Sequence, residues 1–155
     1  MTMDKEKFLS EDFFRLLQTI DPNALPLWGK MNLQQMVEHL SDSVAIANGK
    51  IKHETIITPE DRVPLLQGFL ASDKEFRPET KNVMMGDEPL PMRNSSLAAA
   101  IAELQSEVTA FRNYFAANTG SQIRNPIFGD LDYTQWTQLL YKHFLHHLKQ
   151  FGAAH

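Results

Sequence analysis

The stretch Thr134–Gly152, TQWTQLLYKHFLHHLKQFG, governs how the rest of the chain is read. At about 100° per residue, Trp136, Leu140, His143 and His147 fall within about 40° of one line, with Leu139 and Phe151 beside it. This is the apolar stripe of an amphipathic helix, except that two imidazoles occupy slots where leucines would serve. A buried imidazole without a partner costs on the order of 1–3 kcal/mol, so the placement demands a reason. An i, i+4 spacing sets the two Cβ atoms roughly 5–6 Å apart on one face, and His pairs hold zinc from a helix at this spacing. The alternative is that His143 and His147 only hydrogen-bond across a helix interface. His146, about 80° off the line, belongs at its edge. Gln150, near the end of the same helix, either orients a ligand ring or faces solvent.

Outward from this helix the pattern remains helical. A first helix is expected from a Ser10 cap to Ile20, with Phe13, Leu16, Leu17 and Ile20 inward, ended by Asp21-Pro22-Asn23. A second runs from Asn32 to Ala47 behind an Asn32 cap, with Leu33, Met36, Val37, Leu40, Val44 and Ala47 as its stripe. His39 lies about 120° from the centre of that stripe, so it is not a simple core position. Pattern alone does not make it a ligand, although a residue beside Met36 can point between two neighbouring helices.

Thr58-Pro59-Glu60-Asp61 resembles a helix start, with the helix reaching about Ser72 despite Pro64 and Gly68. From Asp73 to Arg93, three prolines and a glycine imply an irregular surface excursion. His53, in the polar KIKHE run, reads as solvated. Leu97, Ala100, Ile101, Leu104, Val108, Phe111 and Phe115 mark a third long helix, capped among Asn94-Ser95-Ser96 and closed by Asn118-Thr119-Gly120. Thr134 is the expected cap of the last helix. No stretch alternates at period two for long enough to predict a sheet. Trp28 and Trp136 read as packing anchors, and Met31, Met36 and the Met84-Met85 pair as gap fillers. The fold expected is all-α, a four-helix bundle with a long irregular excursion between the second and third helices.

Composition narrows the function classes. The 155 residues fit one domain over residues 1–155, large enough for a single core. With 43% apolar and 22% charged residues, a formal charge of −4 and a pI of about 5.8, nucleic acid and anionic membranes are poor partners. The longest apolar run, Leu97–Ala102, is far below the ~20 residues that span a bilayer, and the N-terminal residues lack a signal peptide's apolar stretch. A cytoplasmic location is expected, as monomer or homodimer. The chain has no cysteine, so any metal rests on His, Asp, Glu and water, and thiol chemistry needs a thiol cosubstrate.

A lone His within WGKMNLQQMVEHLSD and the ending HFLHHLKQFG together resemble the DinB/YfiT-like superfamily of metal-dependent enzymes, over essentially the whole chain and more loosely across 50–93. The resemblance implies an up-down-down-up bundle with a divalent ion, zinc or nickel, held by three histidines, which by matching motif positions are His39, His143 and His147. Relatives in that superfamily include transferases that join small-molecule thiols such as bacillithiol or mycothiol to electrophiles, and a thiol-dependent isomerase. The function expected is therefore a metal-dependent transferase acting on a small-molecule substrate with a low-molecular-weight thiol. The alternatives are a metal-dependent hydrolase and a non-catalytic metal-binding stress or interaction module. For hydrolysis, Glu38 points about 100° from His39 and is a poor base; Asp42 and His146 are no better.

Overall fold

Asn32 and Asp132 start the two helices that carry the histidines, and both do so with a reciprocal capping box. Asn32 Oδ1 accepts from the Gln35 amide at 2.8 Å while Gln35 Oε1 accepts from the Asn32 amide at 3.0 Å. Asp132 and Gln135 repeat the arrangement at 2.8 and 3.0 Å. Each box satisfies amides that a helix start leaves without partners. The last helix therefore begins at Asp132 rather than at the expected Thr134, because the aspartate carboxylate is the acceptor that Gln135 can answer.

The computed structural model describes residues 2–78 and 88–154, which are mostly helical with one small two-stranded sheet. The elements are α1 (Thr2–Lys7), a π-helical segment (Phe8–Asp12), α2 (Phe13–Leu17), α3 (Leu33–Ala47), a 3-10 turn (Glu60–Arg62), α4 (Val63–Ala71), α5 (Leu97–Ala117), β1 (Ile123–Asn125), β2 (Gly129–Leu131) and α6 (Tyr133–Gln150). Met84-Met85 lies outside the described residues.

Three further expectations need correction. The first helix does not start at Ser10. The Lys7 and Asp12 junctions keep right-handed helical dihedrals, so α1, the π segment and α2 make one rod from Thr2 to Leu17. Ser10 sits inside it, its hydroxyl donating to the Glu6 carbonyl at 3.0 Å. That bond competes with the backbone at the place where the turn widens. Thr58 does not cap a helix either; the 3-10 turn follows Pro59 without a side-chain cap, and Pro64 is accommodated in the first turn of α4. The excursion between α3 and α5 thus holds a nine-residue helix. Finally, β1 and β2 pair antiparallel, Ile123 with Leu131 and Asn125 with Gly129. Strands of three residues are too short to show a period, and the turn is shaped by Asn125 Oδ1 accepting from Ile127 and Phe128 amides.

The core gathers Leu9, Phe13 and Leu17 of the rod, Met36, Leu40 and Val44 of α3, Leu104, Val108 and Phe111 of α5, and Trp136, Leu140, Phe144 and Leu148 of α6, all buried. Trp136 anchors the hairpin to α6, its indole N–H donating to the Ile123 carbonyl at 3.0 Å. α3 packs chiefly along α5, while α6 touches the rod, α3 and α4. The contact of α3 with α6 sets the geometry of the histidines.

Candidate metal centre

On α6 the i, i+4 spacing puts His143 and His147 on one face, with ring centroids 4.8 Å apart. α3 crosses that face so that His39, off the centre of its own apolar stripe, points at them. Its centroid is 4.8 Å from His143 and 5.0 Å from His147, so the three rings form a nearly equilateral triangle. His39 Nε2 and His143 Nε2 are 3.0 Å apart, and one potential ligand nitrogen from each ring lies within 4.8 Å of the others. A tetrahedral zinc with Zn–N of about 2.0–2.1 Å spaces its nitrogens about 3.3–3.4 Å apart. The closest pair already approximates this distance, and the other separations reach up to 4.8 Å. An all-imidazole donor set suits borderline ions in general, zinc, copper, iron and nickel among them.

Electrostatics keep the rings ready to coordinate. Burial lowers the His39 pKa to about 4, with a smaller contribution from the charge of nearby His146. Burial also drives His143 and His147 well below the usual imidazole range; the charges of His147, His39 and His146 act the same way on His143, and those of His39 and His146 on His147, where the Gln150 hydrogen bond opposes them. Three neutral imidazoles offer lone pairs, whereas three imidazolium ions would repel a cation. His147 Nδ1 is 2.6 Å from Gln150 Oε1, which leaves its Nε2 for the centre of the triangle.

His146 stands beside the triangle rather than in it. Its centroid is 5.0 Å from His147, 5.3 Å from Trp28 and 6.0 Å from Phe76, and it hydrogen-bonds the Phe76 backbone. Phe76 also reaches His143, at 6.3 Å. Trp28 is therefore half-buried against the histidine cluster, whereas Trp136 is a packing anchor. His53 is half-buried rather than fully solvated and has no part in the cluster.

Two charged residues shape the surroundings in ways the helical wheel does not reveal. Glu38, 4% exposed, accepts four hydrogen bonds: from the Arg93 amide at 3.0 Å, the Asn94 amide at 2.9 Å, the Asn94 side chain at 3.0 Å and the Gln34 side chain at 3.1 Å. Burial alone would raise its pKa; the donors from Asn94, Arg93 and Gln34 overcome that and hold it at about 2. It is a fixed anion that pins residues 93–94 to α3. Lys142, 5% exposed, donates from Nζ to the Ser72 carbonyl at 2.7 Å and to the Lys74 carbonyl, and lies 4.7 Å over the Phe69 ring. It fastens the segment carrying Phe76 onto α6. Neither role leaves a mark in sequence periodicity, because the partners lie dozens of positions away.

The chain belongs to the DUF1569 family, described as proteins of unknown function, whose family model matches residues 9–153. No curated protein and no solved structure matches it significantly.

Proposed function

We propose that this member of a family without an assigned activity is a metal-dependent transferase that joins a small-molecule thiol to an electrophilic substrate at His39, His143 and His147. In this reading the Thr2–Leu17 rod, α3, α5 and α6 form a four-helix bundle of the up-down-down-up DinB/YfiT-like kind. The convergence of three neutral imidazoles from two helices on one point carries the proposal.

Three protein ligands are the number found in catalytic zinc sites, which keep a position open, rather than in closed structural ones. A divalent ion so held supplies Lewis acidity, enough to ionise a coordinated thiol whose free pKa is about 8.5. The residues around the triangle say what the nucleophile is not. The chain has no cysteine. Both carboxylate oxygens of Glu38 are engaged by donors, Asp42 is paired with Arg93 at 3.1 Å, and His146 is bound to the Phe76 backbone. Each nearby candidate for a general base is thus committed elsewhere, which favours a nucleophile ionised by coordination over one deprotonated by a side chain. With no carboxylate among His39, His143 and His147, the protein would leave the charge of an ion held there unneutralised.

The test is direct. Protein loaded with zinc or nickel is offered a low-molecular-weight thiol and a generic electrophile, and compared with His143→Ala. A metal-dependent rate lost in the variant supports transfer. Ester hydrolysis without thiol would move the assignment to a hydrolase, and no turnover with metal bound would leave a metal-binding stress or interaction module.

A further inference from the structure

We infer that Gln150 is a positioning residue that fixes His147 in a single tautomer, and that the backbone carbonyl of Trp28 in turn fixes Gln150. The inference rests on the three-histidine reading for its purpose, but its geometry stands separately.

A carboxamide has an acceptor at one end and two donors at the other. Which end faces His147 decides whether Nδ1 donates or accepts. Gln150, 3% exposed, lies between the imidazole and the Trp28 carbonyl. A carbonyl oxygen can only accept, so the NH2 must face it, and Gln150 Nε2 donates to Trp28 O at 2.9 Å. The other end, Oε1, then faces His147 Nδ1 at 2.6 Å, and only Nδ1–H satisfies that contact. A neutral ring protonated at Nδ1 carries its lone pair at Nε2. A histidine free in water prefers the opposite form, with the proton on Nε2. Without Gln150, therefore, His147 would tend to turn an N–H rather than a lone pair toward His39 and His143.

The loop that supplies the Trp28 carbonyl is built around the same glutamine. Leu27 N–H donates to the Gln150 carbonyl at 2.7 Å, which ties the main chains together. Gly29 has φ +78°, and a Cβ there would stand 3.0 Å from Gln150 Nε2. The glycine thus permits a left-handed turn and leaves the amide room in its locked orientation. Residues 27–29, distant in sequence from every histidine of the triangle except His39, govern how the third ring is presented.

The experiment uses the full chain stripped of metal. Long-range proton–nitrogen correlation spectra report the protonated nitrogen of His147 in the wild type, Gln150→Leu and Gly29→Ala; each protein is then titrated with zinc. The wild type should show Nδ1–H. Gln150→Leu should shift the ring toward Nε2–H and weaken zinc binding by about 10–100-fold, with Gly29→Ala changing both in the same direction by less. A wild-type ring protonated at Nε2 overturns the inference without need of any variant, so a Leu variant that fails to fold does not protect it. If the wild type binds zinc and Gln150→Leu binds it equally tightly, the inference also fails while the metal site survives. A wild type with Nδ1–H that binds no zinc sinks the metal reading and leaves the tautomer lock standing.

Discussion

Replacing Glu38 by glutamine should destabilise the metal-free protein by about 3 kcal/mol at neutral pH, and the deficit should shrink on acidification. The carboxylate is held at about 2 against an ordinary 4.5. At about 1.36 kcal/mol per pKa unit, that difference corresponds to roughly 3 kcal/mol of preference for the ionised form in the folded state. The sign follows from the depressed pKa. The stabilisation is complete above pH 4.5, where the unfolded chain is also ionised, and disappears as pH falls through about 2, where the folded form takes up its proton. Near pH 3 about 1.4 kcal/mol should remain. Glutamine keeps the volume and one acceptor but places an NH2 where one of the Arg93, Asn94 and Gln34 donors now points. Urea denaturation of both proteins with a chelator present, repeated between pH 7 and pH 2.5, measures the gap while other titrating groups cancel between the pair. A gap independent of pH would mean that the four donors do not hold an anion, and the account of Glu38 as an ionic pin would be wrong.

Alanine at His39 should abolish tight zinc or nickel binding while leaving most helicity, checked by metal analysis of protein purified without added metal and by circular dichroism. The metal-free wild type should lose stability as pH falls from about 6.5 toward 4, because the unfolded chain protonates imidazoles that burial keeps neutral in the fold; melting temperatures in chelator test this, and a flat profile would contradict the burial of His39. Lys142→Met should cost about 1–3 kcal/mol by leaving the Ser72 and Lys74 carbonyls without their donor. It should also speed amide exchange in residues 72–76, and an unchanged exchange rate there would show that the lysine does not fasten the segment.

Much of this arrangement can be read from residue order, and the rest shows what periodicity leaves out. The His143–His147 pair is legible because one helical turn fixes both its face and its spacing. His39 is not legible from its helix alone: about 120° from the stripe's centre, it faces a neighbour or solvent depending on where α6 lies. The stripes of α3 and α5 match their buried faces because each depends only on its own helix. On the wheel Glu38 reads only as a poor base, because its partners Arg93 and Asn94 are 55 and 56 positions away, in and just after a proline-rich stretch whose path no period describes. The rod's early start was hidden by Ser10, a residue that suits a cap equally well and here back-bonds within the helix. Phe76 is illegible for the same reason as the role of Glu38, since only the fold brings its segment over α6.

The wide gap in sequence between the two halves of the triangle has a consequence for how an ion would partition between conformations. His39 and His143 are 104 positions apart, and the native fold has already brought them together. A disordered chain would have to close a loop of that size to chelate with all three rings, an entropic handicap of about 4–5 kcal/mol. Tridentate capture should therefore favour the native molecule by roughly a thousandfold or more, so that metal availability would set how much of the polypeptide escapes proteolysis.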